Sequence, residues 1–432
     1  MGNPNTAPQR QNPFRDLNFR WLFGGSVISM LGEQFSMLAL PWLVLQLTHD
    51  TMALGLVMAI MGLPRALLLF AGGAVVDRYS ARRVLLVTKL VNAALLASLS
   101  YLVLTGTARL WVVDLIALAL GMAQAFGMPA GTAILPQVVD ETLLQGANGI
   151  IMGLRQFISL IGPALAGALI AGSATGVTLP ATGTDTAGLS YAFAIDAASF
   201  LISAGTLWQV RLLVATQRPE RETIRQALAA AFTLFWKDRS LRMLFLYFTA
   251  MACFVGGPIQ VALPVLAGTQ LPGGVASLGL LLAGHGAGAL FGMLVAGARP
   301  GWRLRTLGAT MLMIDACAGI VFLPLGQVHS TLHGIALLAP LGAMGGYVQV
   351  AVFTWMQKRI PAAMMGRFMS MFMFVFLGLA PLSSALAGAM LRLMSVPTLF
   401  AICGGAMLAI VLCGLLLTSI ASLDDAKPAE QR

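Results

Sequence analysis

Long apolar runs separated by short polar breaks are the dominant pattern along this chain. The first six runs lie near Trp21 to Leu47, Met52 to Val76, Val84 to Leu104, Leu110 to Leu135, Ile150 to Ala171 and Tyr191 to Val210. After a polar stretch from Arg211 to Arg239, six more lie near Met243 to Leu266, Ala276 to Gly297, Leu307 to Leu325, Leu332 to Met356, Phe368 to Ala389 and Thr398 to Leu417. Each is close to the roughly 20 apolar residues that a helix needs to cross a bilayer. The pattern predicts an all-α polytopic membrane protein with twelve transmembrane helices.

Composition agrees, with 58% hydrophobic residues, 10% charged residues and a mean hydropathy of +0.86 over 432 residues. Those figures argue against a soluble domain. The net charge of +10 raises nucleic-acid binding, so the placement of the 26 Lys and Arg has to decide. With both termini placed in the cytoplasm, 22 of them, Lys89 included, fall on the cytoplasmic side. Arg109 and Arg392 fall outside, and Arg65 and Arg155 lie within spans. Cytoplasmic loops collect cations in this way, which predicts N-in, C-in topology and no nucleic-acid partner. The first twenty residues are polar and carry Arg10, Arg15 and Arg20, so the first apolar run is expected to be retained rather than cleaved. The four cysteines sit inside apolar runs without metal-ligand spacing. With no nucleophile-base-acid set, Walker loop or metal constellation, neither an enzyme nor a cofactor is expected.

Six runs, a basic linker and six runs suggest a duplication. Gly72 to Arg83 follows the second run much as Gly292 to Arg305 follows the eighth, and Gly162-Pro163 with Gly167 in the fifth echoes Ala380-Pro381 with Gly388 in the eleventh. The expected organisation is a cytoplasmic segment 1–20, a six-helix bundle 21–210, a linker 211–240, a pseudo-symmetric six-helix bundle 241–420 and a cytoplasmic tail 421–432. Such repeats place a binding site between the halves near the bilayer midplane. In the linker, Ile224, Leu228, Phe232 and Phe235 recur at helical spacing opposite Arg221, Arg225 and Lys237, predicting an interfacial amphipathic helix.

Ionisable side chains inside apolar runs are functional candidates by default. Glu33 is the sharpest, on one helix face with Ser26, Ser29 and Ser36. Arg65 is equidistant with Glu33 from the turn near His49, which puts the two at similar depth and makes Arg65 a plausible partner, either modulating a proton carrier or locking two helices. Asp114, near the outer end of span four, is a candidate for an extracellular proton path, and Asp196 reads as structural near the outer end of span six. Arg155 either receives an anionic substrate group or snorkels to the interface. His285 and Asp315 form a weaker equidistant pair. Gly284, Gly288 and Gly292 recur every fourth residue and allow close helix approach.

The run Gly73-Ala-Val-Val-Asp77-Arg78-Tyr-Ser-Ala-Arg82-Arg83 resembles the loop signature of the major facilitator superfamily. Leu31-Gly-Glu33-Gln34, Pro41-Trp42, Pro129 to Pro136, Ile195-Asp196-Ala-Ala-Ser-Phe200 and Gly366-Arg367 are similar to its drug-proton antiporter branch, which contains macrolide efflux proteins and enterobactin exporters. Gly162, Pro163 and Gly167 resemble the antiporter signature, with Ala166 replacing one glycine; the arginine many antiporters carry in span four is missing. The resemblance implies that spans one, four, seven and ten line a cavity, which would place Gln34, Gln124, Phe126, Gln260, Tyr347 and Gln349 on its wall beside Arg155. It implies that spans five and eight pack across the halves. It also implies a conformational latch in which Asp77, with Gly73, Arg78, Arg82 and Arg83, meets Arg367 at the start of span eleven. The function it implies is a monomeric secondary transporter in the lipid bilayer of a bacterial inner membrane that exports amphiphilic small molecules of the multidrug type by proton antiport, for which the intramembrane charges themselves offer Glu33, Arg65 and Asp114. The alternatives are a narrow-specificity exporter of an anionic metabolite or siderophore, and a receptor or scaffold that keeps the fold without cycling.

Overall fold

The computed structural model describes residues 12–173, 187–213, 236, 239–299, 301–360 and 362–423, with the side chains at 70, 77, 141, 362–372 and 374–376 outside that description. The linker helix expected around Ile224 to Lys237 therefore lies outside the described residues, as does most of the tail. Among the described residues twelve long helices follow one another: α1 Leu17–Thr48, α2 Thr51–Tyr79, α3 Ala81–Leu104, α4 Leu110–Ile134, α5 Glu141–Gly172, α6 Ala187–Gln209, α7 Arg239–Gln270, α8 Gly274–Ala298, α9 Leu307–Leu325, α10 Thr331–Arg359, α11 Ala362–Met390 and α12 Val396–Leu417. All but α11 meet the length and hydropathy of a membrane span over their described residues; α11 is 29 residues long and its described apolar part is Leu377–Met390.

The turns explain how tightly these helices are strung. His49 closes α1 in the left-handed region at φ 49°, and the Asp50 carboxylate then accepts the Met52 N–H as the N-cap of α2. Two residues thus suffice to reverse the chain, because a left-handed residue and a capping acid satisfy the orphan groups of both helix ends. Asp16, Ser80, Thr306 and Ser395 cap α1, α3, α9 and α12 in the same manner.

Helix pairing repeats with a shift of six. In the first half α1 packs on α5 and α6, α2 on α4, and α3 on α4 and α6; in the second, α7 packs on α11 and α12, α8 on α10, and α9 on α10 and α12. The halves meet through α2 on α11 and α5 on α8, two contacts that exchange under the same shift. This is an all-α polytopic membrane protein of two pseudo-symmetric six-helix bundles.

Backbone proximity sets the closest seams. Cβ atoms built on Gly288 and Gly292 would lie 1.8 and 1.9 Å from the Ala339 and Ala343 carbonyl oxygens, and Gly342 and Gly346 of α10 reciprocate against His285 and Ala289. The stripe Gly284, Gly288, Gly292 therefore belongs to the α8–α10 seam inside the second half, with Gly284 against Ile335. The α5–α8 seam between halves uses other small residues: Gly167 faces Val275 and Gly279, Gly279 faces the Pro163 carbonyl, and Gly286 faces Ser159.

Candidate functional site

Glu33 lies at the middle of α1, with Gly32 before it and Gln34 after it turned to different neighbours. Gly32 faces α6, where a Cβ would fall 2.1 Å from Ser199 Oγ and 2.8 Å from Asp196 Oδ1. Gln34 lies across Gly162 of α5, whose missing side chain leaves room for its methylenes. Glu33 projects between those contacts and its side chain is exposed, although α3, α5 and α6 all supply charged or polar groups around it. An exposed carboxylate halfway along a membrane helix implies a water-filled cavity there.

The cations whose fields reach Glu33 are Lys89 of α3 and Arg155 of α5. Arg65 is turned elsewhere, its Nη1 donating to Gln124 Oε1 at 3.0 Å. The expected Glu33–Arg65 pair is thus replaced, because equal distance from a turn fixes depth but not the direction in which each helix faces. Arg65 sits on the side of α2 that meets α4, where Gly72 lies against Ala125 and Gly121 against Met61.

Lys89 and Asp196 complete the cluster. Lys89 Nζ donates to Ser29 Oγ at 3.1 Å, lies 5.6 Å from the centre of the Phe200 ring, and is within the electrostatic reach of both Glu33 and Asp196. Asp196 is 1% exposed; Ser199 Oγ donates to its Oδ1 at 3.2 Å and Ser36 faces it. Ser203 Oγ donates to the Gly25 carbonyl at 2.7 Å, so α1 and α6 are joined by hydroxyls along the seam behind Glu33. Both residues are displaced from the sequence reading by helix starts: α3 begins at Ala81 and α6 at Ala187, which carries Lys89 and Asp196 eight and nine residues into their spans. The serine face of α1 is corrected in the same way, since Ser29 and Ser36 turn to α3 and α6 while Glu33 alone of that group is exposed.

The other predicted residues scatter. Arg155, Gln260 and Gln349 are exposed in mid-span, as a cavity wall requires. Phe126 instead packs into the apolar cluster around Val76, Ala130 and Ile134. Tyr347 is tied to the α8–α9 loop, its hydroxyl donating to the Trp302 carbonyl at 2.5 Å. Asp114 is half-buried in the first turns of α4, far in depth from Glu33. Asp315 accepts a 2.6 Å hydrogen bond from Tyr247 of α7 and is not paired with His285. At the loop after α2, Arg82 donates to the Leu207 and Trp208 carbonyls at the end of α6, within its own half, and Arg78 lies over the Tyr79 ring. Gly73 has open space around it and Arg83 is exposed. The side chains of Asp77 and Arg367 lie outside the described residues, so the expected latch between them is not seen.

Two features escaped the sequence reading. At the far end, Arg392 binds Asp50 through Nε to Oδ1 at 2.8 Å and through Nη2 to Oδ2, while Thr51 Oγ1 donates to the Gly388 carbonyl at 3.0 Å. With Gly55 against Gly388 and Gly62 against Pro381, these contacts zip α2 to α11 from that end to mid-depth. The Arg392 guanidinium also holds the Asp50 carboxyl below the usual carboxylate range. The second feature is the π-helical turn Pro258–Ala262 in α7, where Ser383 of α11 inserts: Gly257 N–H donates to Ser383 Oγ at 2.9 Å and that hydroxyl donates to the Cys253 carbonyl at 2.5 Å. Gln260, in the same turn, accepts from Ser384 at 3.2 Å.

The comparisons agree with this architecture. The Major Facilitator Superfamily profile matches residues 22–382. The enterobactin exporter EntS of Citrobacter koseri is 26% identical over 357 residues, covering 81% of this chain and 79% of the relative, and that of Escherichia coli is 25% identical over 356 residues. In fold, the chain is similar to the nucleoside transporter NupG, with a TM-score of 0.70 at 14% identity over 92% of this chain and 98% of that one. It is also similar to a bacterial homologue of the iron transporter ferroportin, with a TM-score of 0.69 at 17% identity over 95% and 100%. A duplicated six-helix bundle, a polar cluster at mid-depth and a profile match over most of its length make this chain a member of the major facilitator superfamily, a multi-pass membrane transporter.

Proposed function

We propose that the chain is a proton-coupled exporter of amphiphilic small molecules, working by alternating access from the cytoplasmic side of a bacterial inner membrane. The observation that carries this reading is the exposed mid-span carboxylate of Glu33 beside Lys89, with Asp196 buried behind it. Glu33 and Asp196 share the field of Lys89, and Arg155 reaches Glu33 as well, so which carboxyl holds a proton depends on how these two cations are disposed around them. Lys89 can favour one carboxylate or the other as the helices shift, so the cluster can load a proton in one state and release it in the next. The exposed Arg155, Gln260 and Gln349 form the wall against which a substrate would lie. Export, rather than import, is supported by similarity to the enterobactin exporters. The excess of Lys and Arg on the side bearing the termini supports N-in, C-in orientation. The loop signature around Asp77 retains its proposed role as a latch on the cytoplasmic side, with the chain acting as a monomer.

Glu33→Gln tests the coupling, since the amide stands in for a permanently protonated acid. Fluorescent amphiphiles of either charge, followed in everted vesicles, should show gradient-driven transport abolished and downhill exchange retained. Uphill transport equal to the parent's would remove Glu33 from the mechanism.

A further inference from the structure

Arg65 takes no part in the Glu33 cluster, and its surroundings set a separate problem. It is the fifteenth of 29 residues in α2, at mid-depth and half-buried. Its Nη1 is held by Gln124, but its Nε is enclosed without a hydrogen-bond acceptor. Among the described residues no carboxylate lies within its electrostatic range, and burial alone acts on its charge. A guanidinium remains charged at any accessible pH, so it cannot escape this cost by losing a proton. A cation held in mid-membrane without an anion is expensive, and residues of that kind mark substrate and ion pathways.

Gln124 adds a second polar group beside the guanidinium. Arg65 offers only donors, so the amide must present its oxygen to Arg65, which leaves its NH2 group free to donate beside the guanidinium. The two side chains then present N–H donors from α2 and α4, and the close backbone approaches of Gly121 to Met61 and of Gly72 to Ala125 hold those helices in register. The neighbouring face of α2 is the seam with α11, where Gly62 meets Pro381 and Ala66 meets Gly378. An anion bound here would sit beside the contact on which the two halves move.

We propose that Arg65 and Gln124 form an anion-binding subsite that accepts the carboxylate, sulfonate or phosphate group of an amphiphilic substrate. The subsite rests on the reading of the central cavity as the substrate path, and it makes anionic amphiphiles the preferred class. A purely structural Arg65, serving to tie α2 to α4, would be indifferent to ligand charge.

The test uses the full-length protein in phosphatidylcholine nanodiscs, titrated with pyrenebutyrate and with pyrenebutanol, which share one aromatic body and differ in charge. The parent should bind the acid at least about tenfold more tightly than the alcohol, the scale of one or two charge-assisted hydrogen bonds. Arg65→Gln should erase that preference while leaving the alcohol's affinity unchanged, and Arg65→Lys should keep part of it. Equal affinities in the parent, or equal loss of both probes in Arg65→Gln, would overturn the proposal; the parent measurement stands even where a variant folds poorly. Repeating the titration with phosphatidylglycerol in the disc identifies the source of the anion: competition assigns the same subsite to a lipid headgroup, and none assigns it to a soluble ligand. No proton gradient is involved, so failure of antiport in the Glu33→Gln experiment and failure of the anion preference are read separately.

Discussion

Gly32 shows how a single missing side chain assembles the polar cluster. A Cβ there would strike Ser199 Oγ and crowd Asp196, so Gly32→Ala must push α1 away from α6 and strain the hydrogen bond from Ser203 to the Gly25 carbonyl. Overpacking of this kind costs about 1–3 kcal/mol, and the expected result is a lower thermal midpoint for the detergent-solubilised protein together with weakened uphill transport. Gly73→Ala, where nothing lies within 4 Å, is the control and should melt close to the parent. At this scale Glu33 was legible because a carboxylate in a long apolar run stands alone. Lys89 was not, because it follows Arg78, Arg82 and Arg83 closely enough to be counted with them. A signal was present: Thr88 and Asn92, both buried, share its helix and mark a polar patch inside the span.

Among the elements, α7 is the one whose irregularity has a clear partner. Pro258 has no N–H to donate, and the ladder around it loosens into the π-helical turn. Ser383 closes the gap by accepting from Gly257 N–H and donating to the Cys253 carbonyl, replacing a bond the helix would make itself. Ser383→Ala leaves both backbone groups without that partner, an expected loss of about 1–3 kcal/mol seen as a lower unfolding midpoint. Ser384→Ala removes contacts to Gln260 and to the Ala380 carbonyl of its own helix, and should cost less. The serine that closes this gap lies on a helix 126 residues away from Gly257 and could be assigned to it only by the packing.

For the whole molecule, the seams between the halves decide which face is closed. Asp50 is both the N-cap of α2 and the partner of Arg392, and Asp50→Asn keeps the cap while removing the charge. Spin labels at the adjoining ends of α2 and α11 should then report a larger population with that end apart, by less than about fivefold, since exposed pairs contribute little. Exchanging the charges, Asp50→Arg with Arg392→Asp, should restore the parent distances; failure to restore them would mean the pair does not hold the halves together. Because Arg392 lowers the Asp50 pKa, the Asp50–Arg392 pair is complete above the ordinary carboxylate value and is lost as pH falls through the lowered one. The same distances should therefore be constant between about pH 5 and 8 and widen below about pH 4.

The sequence by itself determined the number of long apolar helices among the described residues, their approximate ends and the duplication, because each depends on properties local to a run of about 20 residues: hydropathy and charge in the adjoining loops. It also marked Glu33, Arg65 and Arg155 as ionisable groups at depth, for the same reason. Which of them meet was decided by tertiary structure alone. Glu33 joined Lys89 rather than Arg65, Asp315 joined Tyr247 rather than His285, and Arg82 turned to α6 within its own half. Those outcomes depend on how each helix is rotated about its axis, and that rotation is fixed by close contacts such as Gly32 on Ser199 and Gly121 on Met61. In a chain that is apolar on nearly every face, hydrophobic patterning leaves the rotation undetermined, because lipid and protein interior are equally good solvents for such a surface.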